Sequence, residues 1–248
     1  MEVQNVTLGQ KAAMANLAFG YHLNANSLDF AGGLVQDGAD SNITYDAAQG
    51  ILGPSASFNG SSSKIALGTG DFNTPVTNGS FSIVCLFRVP ASFSIFPIIS
   101  RGLVQVSGPY YYGMDIAINA TTGISFSRWI GSGSAFISAS GNYTFNEGTI
   151  YLIGVTYDKS SGANIFYIYP IRPGGASLIA AGATQSKTVN VAFHASYDQG
   201  YNFGARLRNT SPVWGKGFLG EVLVFNDIRT AAWFRSYALQ LRGLLDWE

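Results

Sequence analysis

Short runs of alternating apolar and polar residues, separated by glycine- and asparagine-containing turns, constrain the fold of this chain most strongly. In residues 81–89 every odd-numbered residue is apolar, while the even positions include a serine and an arginine. A period of two places one face of an extended strand on a core. The β-branched and aromatic runs Ile150–Tyr157 and 165–169 predict two central strands, and the intervening segment 158–162 predicts a hairpin turn between them.

Further strands of this kind are expected along most of the chain. They are predicted at residues 56–58, 64–67, 98–100, 112–118, 124–129, 135–138 and 218–225. Pro97 has no backbone N–H to donate, so the strand at Ile98 should begin there or lie at a sheet edge. No proline- or serine-rich linker and no internal repeat divides the chain. Many short strands at this spacing predict one all-β domain, an antiparallel two-sheet β-sandwich.

Only the C-terminal segment departs from the strand pattern. Within residues 230–245 the large apolar side chains recur at three- and four-residue steps, which places them in one stripe on a short helix. We favour a helix that closes the sandwich. The alternative is a docking element for other subunits, because Trp247 extends beyond what closing the sandwich requires. In that alternative the assembly contacts are made by Trp233, Tyr237, Leu241 and Trp247.

The composition excludes several classes of protein. The 14 basic residues equal the 14 acidic residues, and charged residues make up only 11% of the chain, so the clustered cations of a nucleic-acid-binding surface are missing. No apolar stretch approaches the length of a membrane span, and the first residues lack the pattern of a signal peptide. Cys85, the only cysteine, lies in an apolar run and is expected to be a buried, inert thiol.

Five sequence segments carry a family resemblance. They are LAFGYHLNANSLD at 17–29, ASFNGSSSKI at 56–65, FSIVCLFR at Phe81–Arg88, IGVTYD at 153–158 and GEVLVFND at 220–227. In this order they resemble the opening strand, the F-D/N-G-x-x-x-x-I/V hairpin and three later strands of the concanavalin A-like jelly-roll family, specifically its laminin G-like branch. Leu86 and Phe87 stand where that family commonly has tryptophan. The resemblance implies a single domain over residues 1–248, with a core of about 17–241 and a helix of about 230–245.

The residues needed for catalysis are not grouped in the sequence. Glycosidases of this superfamily carry an E-x-D-x-E strand that aligns an acid and a nucleophile on one face. Here only Glu248 has an aspartate two residues away, and that pair lies beyond the predicted sheets. The two histidines, His22 and His194, have no G-x-S-x-G motif beside them, and no His or Cys pair has zinc-ligand spacing. We therefore expect no enzymatic activity.

Calcium is the one metal that the resemblance suggests, because laminin G-like modules often hold Ca²⁺ with an aspartate and backbone carbonyls at a sheet rim. The acidic loops around Asp29, Asp37, Asp40 and Asp46 could supply such oxygens. The chain has no D-x-D-x-D run, and aspartate is common in turns for conformational reasons. We therefore expect no cofactor, and keep Asp29 and Asp37 as the calcium candidates.

Carbohydrate binding requires aromatic rings for the C–H faces of sugars and polar groups for their hydroxyls. The best candidate is the stretch 197–202, with Trp214 as a further aromatic platform. The candidate ligand-binding residues are Tyr197, Asp198, Gln199, Tyr201, Asn202 and Trp214. For the stretch 197–202, filling of the core is an equally favoured role.

Two functional classes remain. The first is a non-catalytic virion protein, such as a capsid decoration, head fibre or tail component, which contacts other virion proteins or itself and presents a glycan-binding face. The neutral Gly-, Ser- and Asn-rich composition and the absence of a recognisable signal peptide favour this class. The second is an extracellular or cell-surface carbohydrate-binding or adhesion module. Neither class implies nucleic-acid binding or membrane insertion.

Overall fold

The computed structural model describes residues 14–24, 26, 38–47, 51, 53–67, 79–106, 110–129, 136–141, 143–172, 184–186, 200–207 and 212–245. Its strands are β1 (Leu17–His22), β2 (Ala39–Ser41), β3 (Thr44–Asp46), β4 (Ser55–Asn59), β5 (Lys64–Ala66), β6 (Phe81–Arg88), β7 (Ile95–Val106), β8 (Tyr110–Asn119), β9 (Gly123–Trp129), β10 (Phe136–Gly141), β11 (Ile150–Tyr157), β12 (Ala163–Arg172), β13 (Thr184–Ser186), β14 (Tyr201–Phe203), β15 (Ala205–Arg206), β16 (Val213–Trp214) and β17 (Lys216–Phe225). One α-helix, α1 (Ala231–Leu245), follows them.

These strands form two antiparallel sheets that pack face to face. The first sheet has eight strands in the order β13-β12-β11-β6-β17-β4-β3, with β1 also paired to β17. The second has seven strands in the order β10-β9-β8-β7-β14-β5-β2. The two-residue strands β15 and β16 pair with each other and lie against β7. The predicted all-β, two-sheet sandwich is confirmed, and within the described residues no helix is long and apolar enough to cross a membrane.

The inner faces of the two sheets enclose the main apolar core. Aromatic rings meet across it: Phe81 of β6 contacts Phe126 of β9 edge-to-face, with 6.0 Å between ring centroids, and Phe87 of β6 lies 4.7 Å from Phe96 of β7. Cys85 is buried in this core, and burial raises the pKa of its thiol. The prediction of a buried thiol at this position is confirmed.

Helix α1 forms a third layer on the outer face of the first sheet. Its stripe packs with a second apolar cluster that includes Leu152, Tyr167 and Leu223 of that sheet. Phe234 stacks on Tyr167 with 4.2 Å between ring centroids. Thr230 caps the helix, because its hydroxyl accepts a hydrogen bond from the backbone N–H of Trp233 at 3.2 Å. The helix therefore closes the sandwich, as the favoured interpretation predicts.

The predicted hairpin at residues 150–169 is confirmed, since β11 and β12 pair over their whole length around a turn at residues 158–162. In that turn the N–H of Gly162 donates to the carbonyl of Asp158 at 2.7 Å. Gly162 has a φ of 71°, a conformation that glycine adopts without steric cost.

The segment 56–65 does not form the hairpin that the family resemblance implies. Strand β4 pairs with β17 in the first sheet, whereas β5 pairs with β14 in the second. The connection between them crosses from one sheet to the other. It is held by Asn59, whose side-chain oxygen accepts hydrogen bonds from three successive backbone N–H groups, those of Ser61, Ser62 and Ser63.

The prediction for Pro97 is wrong on both counts. Strand β7 begins at Ile95, before the proline, and lies inside the second sheet between β8 and β14. The pairing of β7 with β8 shifts register between Pro97 and Ile99, which is the irregularity that accommodates a residue without an N–H. The Pro97 carbonyl instead accepts a hydrogen bond from Gly204 at 2.9 Å.

Candidate ligand-binding site

A group of buried polar residues lies on three adjacent strands of the second sheet. Ser100 of β7 is the register partner of Asp115 on β8 and also of Asn202 on β14. Arg206 of β15 completes the group through its contact with Asp115. These four residues, Ser100, Asp115, Asn202 and Arg206, are called the polar cluster below.

Strand alternation places the polar cluster on the outer face of the second sheet. Ile99, Ile116, Tyr201 and Phe203 belong to the core between the sheets. Their chain neighbours Ser100, Asp115 and Asn202 therefore point the opposite way, away from the first sheet. Their exposures are 0%, 0% and 2%, so the polar groups are buried although they lie outside the main core.

An ion pair neutralises the charge of the polar cluster. Nη2 of Arg206 contacts Oδ2 of Asp115, whose side chain is fully buried, while the Arg206 side chain keeps 11% of its surface exposed. A buried carboxylate is tolerated only when a partner compensates its charge. Since β15 lies against β7, the short β15–β16 pair is the element that brings the guanidinium to Asp115.

Three atoms of the polar cluster have unused hydrogen-bonding capacity. Ser100 Oγ, Asn202 Nδ2 and Arg206 Nε are buried and make no hydrogen bond within the described part of the chain. Each buried polar group without a hydrogen bond costs about 1–3 kcal/mol. Three such groups at one place therefore lower the stability of the fold. A hydroxyl, an amide NH₂ and a guanidinium N–H are suited to the hydroxyl and ether oxygens of a polyhydroxylated ligand.

The sequence-predicted ligand residues separate into three groups. Asn202 is a member of the polar cluster, and Trp214 lies half-buried on β16, as the register partner of Ala205 next to Arg206. Tyr197, Asp198 and Gln199 lie outside the described residues. Tyr201 is fully buried in the core, where the Arg101 guanidinium lies 5.7 Å from its ring centroid. Residues 201–203 form a strand of the second sheet, so Tyr201 has the core-filling role that the sequence favoured equally with ligand binding.

The sequence reasoning missed Ser100, Asp115 and Arg206. A signal for Asp115 is present, because it is the one charged residue in the run Gly113 to Ile118 and alternates with buried isoleucines. A carboxylate in such a strand requires a compensating partner. The sequence gives no comparable signal for its pairing with Arg206, which is 91 positions away.

The residues predicted for assembly face their own sheet. Leu241 is 3% exposed and belongs to the cluster beneath the helix. Trp233 and Tyr237 are partly buried in the same cluster, with their rings stacked at 5.2 Å. These contacts are those of the closing helix that the sequence favours, and the docking alternative for these three residues stays a prediction. Trp247 lies outside the described residues.

A second polar network joins the helix to the first sheet. The hydroxyl of Tyr237 donates to the Glu221 carboxylate, whose other oxygen lies 2.9 Å from Nδ1 of His22. Burial, reinforced by the negative charge of Glu221, raises the pKa of the Tyr237 hydroxyl well above its usual value. The tyrosine therefore stays protonated and acts as a donor that anchors α1 to β17.

The structure offers no metal centre in the part of the chain that it describes, where no group of three or more His, Cys, Asp or Glu side chains could hold an ion. Asp40 of β2 accepts a hydrogen bond from the hydroxyl of Tyr45 on β3 at 2.7 Å, so this carboxylate links the two strands. The calcium candidates Asp29 and Asp37 lie outside the described residues, so this prediction stays open.

No family model and no curated protein matches the chain. Solved structures do match in fold. Domain 4 of AbnA, an extracellular GH43 arabinanase from Geobacillus stearothermophilus solved with arabinotriose, has a TM-score of 0.59 at 15% identity, over 92% of this chain and 98% of that one. The CBM40 module of the Ruminococcus gnavus IT-sialidase, bound to α2,3-sialyllactose, has a TM-score of 0.55 at 12% identity, over 81% and 97% of the chains.

A third similar structure is a Trypanosoma rangeli sialidase mutant, with a TM-score of 0.59 at 12% identity. The chain covers only 34% of that larger protein. At these identities the similarity shows the fold alone: the chain shares a β-sandwich with carbohydrate-binding modules and is compatible with a jelly roll. The narrower laminin G-like assignment stays a prediction.

Proposed function

We propose that this protein is a non-catalytic carbohydrate-binding module, and that its ligand reaches the polar cluster from the side where Arg206 keeps 11% of its side chain exposed. The observation that carries the proposal is the grouping of Ser100, Asn202 and Arg206 atoms with unused hydrogen-bonding capacity on one sheet face. Two solved structures with the same fold were determined with an oligosaccharide bound. Their similarity supports the proposal at the level of the fold, and the polar cluster supplies the chemistry.

The physical argument is that the polar cluster lowers the stability of the fold. Unpaired buried donors reduce the stability of a fold, and such costs are commonly found where residues serve a ligand. Sugar hydroxyls can both donate and accept, so one ring can engage an amide, a hydroxyl and a guanidinium together. Trp214 is the register partner of Ala205, so alternation places its ring on the opposite face of the β15–β16 pair from Arg206, and the proposal does not include it.

The test is a glycan array followed by titration calorimetry on the best ligand, with the variant Ser100→Ala. We expect the variant to lose about 1 kcal/mol of binding, roughly a fivefold fall in affinity. Its free energy of unfolding should be unchanged or higher, because the removed Oγ makes no hydrogen bond among the described residues. Ser236→Ala, at an exposed position on α1 and thus on the opposite side of the sandwich, is the matched control.

Two results would overturn the proposal. One is an array on which no glycan is retained above background. The other is a Ser100→Ala protein that binds its glycan with wild-type affinity, since the polar cluster would then not be the site.

For the biological setting of this binding we keep the hypothesis from the sequence, a virion accessory protein. The alternative is an extracellular adhesion module. The genes next to this one distinguish the two. Capsid, portal or tail genes are expected for the first, and their absence beside genes for secreted glycan-degrading enzymes would favour the second.

A further inference from the structure

We infer that Asn59–Gly60 is a latent site of deamidation, which the folded protein blocks with hydrogen bonds although both residues are exposed. The dipeptide begins the connection between β4 and β5, where the chain passes from the first sheet to the second. Residues 59–63 are called the crossover below. Asparagine followed by glycine is prone to deamidation, because glycine has no side chain to hinder its backbone nitrogen. The inference does not depend on the proposed function.

The reaction changes bonds at two atoms of the dipeptide. The backbone nitrogen of Gly60 loses its proton to water and bonds to Cγ of Asn59, while the side-chain nitrogen leaves as ammonia and a cyclic succinimide forms. Water then opens the ring at either carbonyl and gives aspartate or isoaspartate. The reaction therefore requires that the Gly60 nitrogen is free to move and that the Asn59 carboxamide can turn towards it.

The fold needs both residues of this reactive dipeptide. Gly60 has a φ of 78°, and a Cβ there would lie 3.0 Å from Cβ of Lys216, so another residue would be strained and crowded. Oδ1 of Asn59 accepts hydrogen bonds from the backbone N–H groups of residues 61–63 at 2.8, 2.9 and 3.2 Å. Since neither residue can be exchanged without loosening the crossover, protection has to come from the structure.

The hydrogen bonds of the crossover hold both reacting groups. The N–H of Gly60, which carries the attacking nitrogen, donates to the carbonyl of Gly215 at 3.0 Å. Nδ2 of Asn59 donates to Oγ of Ser62 at 3.1 Å, so the carboxamide is held at its nitrogen as well as at its oxygen. The backbone N–H of Asn59 donates to Oγ of Ser63 at 3.1 Å, and the residue is paired with β17. Succinimide formation therefore requires several hydrogen bonds to break together.

Exposure to water does not remove this protection. Both residues are in contact with solvent, so the reaction is limited by how often the crossover opens and not by access of water. An opening that costs about 1.4 kcal/mol lowers the reactive population about tenfold. Because the opening breaks hydrogen bonds at both reacting groups, we expect at least that factor between the folded and the unfolded chain.

The experiment compares deamidation in buffer and in concentrated urea at the same mildly alkaline pH, followed over time by peptide mass spectrometry. The sequence Asn-Gly-Ser occurs again at residues 78–80 and serves as an internal reference. In urea, Asn59 and Asn78 should react at similar rates, because their local sequences are alike. In buffer, Asn59 should react at least about tenfold more slowly than in urea. Equal rates at Asn59 in buffer and in urea would overturn the inference.

The variant Ser63→Ala tests the crossover itself, because it removes the acceptor of the Asn59 N–H and the donor to the Asn42 carbonyl. We expect deamidation at Asn59 in buffer to become about fivefold faster, the equivalent of one hydrogen bond. The matched control is Ser82→Ala, which removes buried hydrogen bonds at the opposite end of the β17 pairing and should leave the Asn59 rate unchanged.

A folded Ser63→Ala protein with the wild-type rate at Asn59 would overturn the inference. So would a Ser82→Ala protein in which that rate rises equally, since protection would then come from the stability of the whole fold and not from the crossover. If Ser63→Ala fails to fold, the comparison of buffer and urea for the wild-type protein decides alone.

Discussion

Asp158 illustrates how one carboxylate fixes a turn at the scale of a single residue. One of its oxygens accepts hydrogen bonds from the backbone N–H of Ser160 at 2.9 Å and from the Ser160 hydroxyl at 2.7 Å, and the other accepts from the Ser161 hydroxyl at 2.7 Å. These bonds, led by that from Ser161, lower the pKa of Asp158 to about 2. The ionised form is therefore the one that stabilises the β11–β12 turn.

The lowered pKa predicts a specific dependence on pH. The stabilisation is fully present above the ordinary aspartate pKa of 3.8 and is lost as the pH falls towards 2. We expect wild-type protein to have a higher Tm than Asp158→Asn at pH 5–7, and the difference to shrink between pH 4 and pH 2. Thermal unfolding of both proteins across this range checks it; a difference that stays constant down to pH 2 would contradict the role of the charge.

The buried hydroxyl of Ser82 makes hydrogen bonds within the described residues, whereas that of Ser100 makes none there. The Oγ of Ser82 donates to the carbonyl of Asp227 at 2.7 Å and accepts from the N–H of Arg229 at 2.8 Å, which holds the segment before α1 against β6. Both serines are fully buried on strands, yet only Ser82 has hydrogen-bond partners among the described residues. The two positions therefore form a matched pair.

We predict that Ser82→Ala lowers the free energy of unfolding by about 1–3 kcal/mol, because the buried N–H of Arg229 and the partly buried carbonyl of Asp227 lose their partner. Ser100→Ala, the matched control, should change it little or raise it. Urea unfolding of the two variants measures the contrast. Equal losses at both positions would mean that the Ser82 hydrogen bonds do not contribute to stability.

At the scale of elements, the contact between α1 and the first sheet depends on a glycine. A Cβ atom on Gly154 of β11 would lie 2.2 Å from Cε1 of Phe234, well inside van der Waals contact. The Phe234 ring therefore fills the space that a side chain would need, and it stacks on Tyr167 of the neighbouring strand. The absence of a side chain at Gly154 therefore sets how closely the helix approaches the sheet.

We predict that Gly154→Ala destabilises the protein by about 1–3 kcal/mol through overpacking, and that the double variant Gly154→Ala, Phe234→Leu is less destabilised than the sum of its single changes. Gly243→Ala is the control, because a Cβ there meets nothing within 4 Å. That change should be neutral or stabilising by up to about 1 kcal/mol. Chemical unfolding of all four proteins tests the contact, and strict additivity would contradict it.

Elements with a strong local pattern could be predicted from the sequence, and elements set by distant pairing could not. The alternation in β6 and the apolar runs of β11 and β12 each mark a strand with its own residues. Strand β14 has only three residues and follows turn-forming residues, so its own sequence does not mark it as a strand. The position of Pro97 could not be predicted, because a strand inside a sheet accepts proline at a register shift, and that shift depends on the neighbouring strand.

At the scale of the whole molecule, the candidate site is a product of topology. Residues 100, 115, 202 and 206 meet because β14 inserts between β7 and β5, bringing together strands that lie about a hundred residues apart in the chain. Only Asn202 could be proposed from the sequence, on the chemistry of its amide. Register between distant strands is decided by packing, so the remaining members could be found only in three dimensions.

The position of α1 also determines how this protein can be presented. The helix covers the outer face of one sheet and the polar cluster lies on the outer face of the other, so the two are on opposite sides of the sandwich. A tether, particle or larger assembly that holds the helix side would orient the sheet that carries the polar cluster outward. Many copies displayed in that way could engage a glycan-coated surface simultaneously, which converts weak individual contacts into tight adhesion.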